Sequence, residues 1–146
     1  MAAEEFLSRS AEETIAKGRE LAERLRAPVV VLLSGELGSG KTTLTKGIIS
    51  GLGAAREEDV TSPTFTLVHV FHNHQKVYHV DLYRVDGIRD LETLGLEDAL
   101  SEPAVLIVEW SERFSGMHDV TGTTRLALNT YSVYRAADLH GNLPLW

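Results

Sequence analysis

The chain reads as an α/β protein with a mixed parallel and antiparallel sheet between helices, and three observations predict it. Two short runs are apolar without interruption, Val29–Ser34 (VVVLLS) and residues 104–108 (AVLIV). Such runs suit strands buried on both faces, as inside a parallel sheet. Between them lies a stretch that alternates apolar and polar residues around a polar turn, as an antiparallel hairpin does. A glycine-rich loop joins the first apolar run to a helical pattern. Together these predict strands and helices interleaved in layers.

The elements follow in chain order. Ser10-Ala-Glu-Glu13 reads as a capping box, so the first helix is expected to start there. Ala11, Ile15, Ala22 and Leu25 form its apolar stripe, up to Arg26. Pro28 resets the chain before the VVVLLS strand. The next helix is expected from residue 42 to about 52, stopped by Gly53. Residues 65–71 and 77–82 alternate as two strands around the turn HNHQ. Residues 88–101 are weakly helical, with Gly95 as a soft spot, and 104–108 is the second buried strand. Residues 111–122 read as loop and 123–130 (TTRLALNT) as a late strand. With 146 residues and no linker or repeat, residues 1–146 are expected to form a single domain.

Composition narrows the function. Hydrophobic content of 43% and charged content of 24% are those of an ordinary globular protein. The longest apolar run is too short for a bilayer, and MAAEEFLSRS lacks the basic start and apolar centre of a secretory signal. No membrane role is expected, and the expected location is cytoplasmic. The absence of cysteine excludes disulfides and thiolate chemistry. A net charge of −7 argues against direct binding to nucleic acid, whose phosphates need clustered Lys and Arg.

Gly35-Glu-Leu-Gly-Ser-Gly40-Lys41-Thr42 fits the phosphate-loop pattern G-x-x-x-x-G-K-[ST] without a mismatch. Glycines at 35, 38 and 40 permit positive φ and close approach of the main chain to phosphate oxygens. Loop N–H groups and the helix N-terminus make an anion site. Lys41 carries the cation for the β- and γ-phosphates, and the Thr42 hydroxyl is a magnesium ligand. No N-K-x-D-like element for guanine is present, and Asp119-Val-Thr-Gly122 follows a polar loop instead of a buried strand, so ATP is favoured.

Two carboxylates qualify to complete the metal site. Glu109 ends the apolar run in AVLIVEW, and Asp81 ends the aromatic-rich strand in VYHVDLYR. The preferred division gives Glu109 to magnesium and Asp81 to the water or metal shell; Lys41, Asp81 and Glu109 are the candidate catalytic residues. TSPTF, residues 61–65, offers hydroxyls from Thr61, Ser62 and Thr64 beside a stiffening Pro63. It reads either as a γ-phosphate switch or as a capped turn entering a strand.

GELGSGKTTL, TSPTF, VYHVDLYR, LGLED and VEW stand in the order and spacing of the bacterial TsaE ATPases, formerly YjeE, and the chain resembles that family over roughly residues 10 to 115. The resemblance implies a P-loop α/β domain, ATP with Mg2+, and a TsaB–TsaD partner complex that transfers a threonylcarbamoyl group. tRNA would be reached only indirectly, through that complex. Gly38, Ser39, Gly40, Lys41, Thr42 and Thr43 would bind ATP, with Thr42 and Glu109 linked to the metal. Ser62 to Thr64 would be the switch, and Asp81 and Trp110 functionally sensitive positions. Adenine would be contacted around Ser10 to Thr14 and from an Arg-containing turn at Arg135, although the tail YSVYRAADLHGNLPLW departs from the family pattern.

Other features stay subordinate. His69, His72, His74 and His79 crowd the hairpin and raise a zinc site as an option beside solvated turn histidines. Residues 81–102 hold seven acids against two arginines, which reads as a solvated face or a dock for a basic partner. Trp110 reads as core packing or an interface anchor. Besides a partner-driving ATPase, a small-molecule kinase and a non-hydrolysing nucleotide-gated module remain open. The scattered arginines give the kinase no lid. Without any lid the nucleotide site is open on one side, so hydrolysis by the chain alone is expected to be slow and partner-dependent.

Overall fold

A computed structural model describes residues 6–34, 40–63, 67–82, 98–99, 101–110 and 130–135. In chain order these form helix α1 (Ala11–Ala22), strand β1 (Val29–Ser34), helix α2 (Lys41–Gly51), a 3-10 turn over Glu57–Asp59, and strands β2 (Val68–Phe71), β3 (Val77–Asp81), β4 (Val105–Trp110) and β5 (Thr130–Arg135). The sheet has the order β2-β3-β4-β1-β5. β3, β4 and β1 are parallel, while β2 and β5 pair antiparallel to β3 and β1. This is the mixed α/β sheet the sequence predicts. Among the described residues no helix is long and apolar enough to cross a membrane.

The core follows from the period of two along each strand. Val29, Val31 and Leu33 of β1, Val105 and Ile107 of β4 and Val77 of β3 pack with Leu44, Ile48 and Ile49 of α2 and Leu21 and Ala22 of α1. The alternate residues Val30, Leu32, Leu106 and Val108 are equally buried, so both faces of the central strands are covered. That is why these runs carry no polar position to mark a solvent side.

Ser10 caps α1 through a bond from the Glu13 N–H to its Oγ at 3.1 Å. The reciprocal arm differs from the expected box: the Glu13 carboxylate accepts from the N–H of Arg9, at 2.6 Å, one residue before the cap. The helix also ends earlier than Arg26. Its last turn tightens into bonds three residues apart, Arg24 to Leu21 at 3.0 Å and Leu25 to Ala22 at 3.1 Å. The Arg26 guanidinium then covers the freed carbonyls of Glu23 and Leu25.

The expected apolar stripe holds at Ala22 and Leu25, both buried, and at half-buried Ile15, but not at its first position. Ala11 is exposed, and the buried line of α1 runs through Gly18, Leu21 and Ala22. The cause is a seam of glycines. A Cβ on Gly18 would lie 2.5 Å from the Leu44 carbonyl oxygen and 2.8 Å from Gly47 Cα, and one on Gly51 would lie 2.8 Å from Ala22 Cβ. One on Gly47 would run into the Ile15 carbonyl. The two helices therefore meet backbone to backbone, which only glycine allows.

The hairpin forms with His69 opposite His79 and Phe71 opposite Val77. β2 begins at Val68, after Leu67 adopts a positive φ of 69°; residues 64–66 lie outside the described ones. Asp98 and Ala99 are helical, and the rest of the expected 88–101 helix, apart from a turn at its end, lies outside the described residues, as does the 111–122 loop. Of the expected late strand 123–130 only Thr130 is described. It opens β5, which runs through Tyr131-Ser-Val-Tyr-Arg135 and zips onto β1, a stretch taken from sequence as tail.

Candidate functional site

Three parallel strands end at the same edge of the sheet, and that edge carries the candidate site. The register places Leu33 of β1 beside Glu109 of β4, and Glu109 beside Asp81 of β3. β1 leads out at Ser34 toward the phosphate loop. Residues 35–39 lie outside the described ones, Gly38 and Ser39 among them. Gly40 is described: it precedes α2 with φ 104°, a left-handed geometry open to glycine and strained for other residues. Its carbonyl accepts from the Leu44 N–H at 2.9 Å. Lys41 is thus the first residue of α2, followed by Thr42 and Thr43 in the first turn. The helix carries no acidic residue there, so its positive dipole end is left for an anion.

Thr42 ties the helix to the strands. Its Oγ1 donates to Glu109 Oε1 at 2.9 Å. The other carboxylate oxygen, Oε2, is bonded to Nε2 of His79. Glu109 is only 3% exposed and His79 is fully buried. Asp81, 7% exposed, has a different partner: the Ser62 hydroxyl donates to its Oδ2 at 2.7 Å. The chain after Ser62 is tied to β3 by main-chain bonds, Leu67 N–H to the Pro63 carbonyl at 2.6 Å and Asp81 N–H to the Leu67 carbonyl at 3.0 Å.

Lys41, Thr42, Asp81 and Glu109 therefore meet at one sheet edge, with Ser62 against Asp81. Thr64 lies outside the described residues. Arg135 stands apart from them and is not in a turn. It is the last residue of β5, with its Cα opposite Val29 at the start of β1, whereas the phosphate loop leaves from the other end of that strand. Trp110 is the final residue of β4, opposite Ser34.

The hairpin histidines do not gather. Among the described residues no group of three or more His, Asp or Glu converges as a metal cluster. His69 and His79 meet edge to face at 6.3 Å, and burial, then the neighbouring His79, push the His69 imidazole below its ordinary pKa. At the other end of β3, Glu102 of the acidic segment accepts from Tyr78 at 2.7 Å and pairs with Lys76 at 2.6 Å.

His79 is the residue the sequence reading left among solvated histidines. The available signal was its place two residues before Asp81 in VYHVD. In a strand that spacing puts both side chains on one face, here the face of Ile107 and Glu109.

An α/β sheet with a phosphate-loop helix and two acids at its carboxyl edge defines a P-loop NTPase-like domain, since open sheets of this kind bind ligands where the parallel strands end. The family model described as "Threonylcarbamoyl adenosine biosynthesis protein TsaE" matches residues 8–136, and the chain belongs to the TsaE family. Curated relatives named tRNA threonylcarbamoyladenosine biosynthesis protein TsaE include one from Treponema pallidum, 39% identical over 73% of this chain and 78% of its own length. Another, from Streptomyces coelicolor, is 48% identical over 65% of each chain. One from Haemophilus influenzae is 41% identical, with the matched part spanning 56% of that protein. Among solved structures, Bacillus subtilis YdiB superposes with a TM-score of 0.55 at 34% identity, covering 70% of this chain and 61% of that one.

Proposed function

We propose that the chain is a magnesium-dependent ATP-binding and ATP-hydrolysing subunit that drives a TsaB–TsaD-like transferase forming threonylcarbamoyladenosine in tRNA, in the cytoplasm. The observation that supports it best is the bond from Thr42 Oγ1, at the N-terminus of the phosphate-loop helix, to Glu109 Oε1. A hydroxyl and carboxylates grouped at a helix N-terminus are a hard-oxygen set, the kind magnesium takes together with nucleotide phosphates. Bound there, the metal would neutralise charge on the β- and γ-phosphates.

The chain's own groups divide the work. Lys41 and the α2 N-terminus attract the phosphates. Thr42 keeps its proton on Glu109, which leaves a hydroxyl lone pair for the metal side. Asp81 is a carboxylate able to orient a water, and Ser62 holds it until the γ-phosphate competes for the switch. Tight transition-state stabilisation needs a closed, preorganised site. A partner supplying the missing wall would raise the rate, as groups given in trans do by about a thousandfold or more in related NTPases.

Phosphate release from ATP, measured with and without the partner pair and with a panel of small acceptors, tests this. Stimulation by the pair is the expected result. Phosphate appearing on an acceptor would make the chain a kinase, and binding without release under all conditions would make it a gated module. Lys41→Ala should remain folded and lose both binding and release; a variant that binds Mg-ATP like the parent would overturn the site.

A further inference from the structure

We infer that His79 is a positioning residue that orients the Glu109 carboxylate for magnesium, an inference that rests on the metal role proposed above for Glu109. On this face of the sheet His79 is surrounded by Val77, Val105 and Ile107, with the His69 ring edge to face at 6.3 Å. A fully buried imidazole in such surroundings is costly unless it is bonded. Among the described residues its hydrogen bond goes to Glu109 Oε2, and its Nδ1 is buried with no partner. An ordinary core histidine would satisfy both ring nitrogens; this one spends its polar capacity on the carboxylate.

The geometry gives that contact a purpose. His79 pairs with Ile107, and Asp81 with Glu109, so the ring sits one step below Glu109 on the same face and reaches its inner oxygen. With Oε2 held there, Oε1 is turned up toward Thr42. The terminal torsion of a glutamate is broad and roughly two-fold, so without this bond the carboxylate plane is free to swing. A carboxylate oxygen can only accept, so Nε2 is the donor of this bond and fixes the plane of the carboxylate.

Titration calorimetry of ATP with magnesium and with EDTA, on the full chain, tests the inference in His79→Leu and His79→Gln. Glutamine can return an amide donor near the Nε2 position, and leucine cannot. The ratio of affinities with and without magnesium should fall about tenfold in His79→Leu, as for other partners that orient a metal ligand. The EDTA affinity should stay parental, and His79→Gln should restore most of the ratio. A parental ratio in a folded His79→Leu, or an equal loss in both conditions, would overturn the inference. A purely structural role predicts that equal loss.

Should His79→Leu fail to fold, ring-nitrogen NMR on the intact chain decides. A slowly exchanging Nε2 proton whose resonance moves in Glu109→Gln supports the inference; no proton on Nε2, or no response to Glu109→Gln, refutes it. A parent chain with no magnesium effect would instead sink the metal reading and its use of His79, while the NMR result would still show whether His79 holds Glu109.

Discussion

Asp81 and Glu109 are neighbours by register, both acidic, both at the tips of parallel strands, yet they are held in opposite ways. Glu109 is gripped from below by a buried imidazole and from the side by the first turn of α2. Asp81 is held by the hydroxyl of Ser62, in an exposed position of the connection into β2. One acid belongs to the frame of the protein. The other is shared between the frame and a loop. Equal position in a sheet therefore does not mean equal function: the fixed acid suits a standing task such as holding a metal, and the loop-tethered acid suits a step that changes through the cycle.

The largest effect that would break this contrast comes from Glu109→Ala. It leaves the buried His79 donor without its acceptor, and such groups cost about 1–3 kcal/mol each; ATP binding should also lose its magnesium dependence. Denaturant melts and calorimetry would measure both. Asp81→Ala should be milder for the fold, below about 1 kcal/mol, because the Ser62 hydroxyl can turn to water. Nucleotide binding should survive and turnover should not, as a phosphate-release assay would show. The reverse pattern in this pair would exchange the two roles.

Ser62→Ala is expected to be smaller still, about 0.5 kcal/mol or less, seen as faster amide exchange at Leu67 with little change at Thr45. Uniform acceleration would put Ser62 in the frame. The smallest effect belongs to a third carboxylate that serves as a surface reference. Glu102 is held below its usual pKa by its bonds to Lys76 and then Tyr78, and Lys76 is raised chiefly by the same bond. A lowered acid adds stability above its unfolded pKa and loses it as pH falls through the folded one. The raised lysine adds stability that is lost only as pH rises through its own folded pKa. Glu102→Gln should therefore melt slightly below the parent at neutral pH and converge with it in acid.

How much of this was legible depends on what each residue answers to. Local chemistry was readable: the cap at Ser10, helix α2 to within one residue of its start at Lys41 and its stop at Gly53, the buried runs of β1 and β4, the hairpin over HNHQ. The candidate acids were readable because an apolar run ending in a carboxylate is itself a local pattern. Three features were not, because each depends on another part of the chain. Gly18 looks like a weak point in a helix until Gly47 is set against it. YSVYR reads as tail, and only its pairing with β1 shows that it makes up most of β5. His79 becomes part of the site only when β3 and β4 are put in register.

The glycine seam between α1 and α2 has a mechanical consequence. Helices separated by side chains can slip, because rotamers rearrange and take up the motion. These two meet without that cushion, so α2 behaves as a keyed shaft, free neither to rotate nor to ratchet against α1. Since α2 carries Lys41 and Thr42 at its leading end, those two positions are held against α1 as on an anvil.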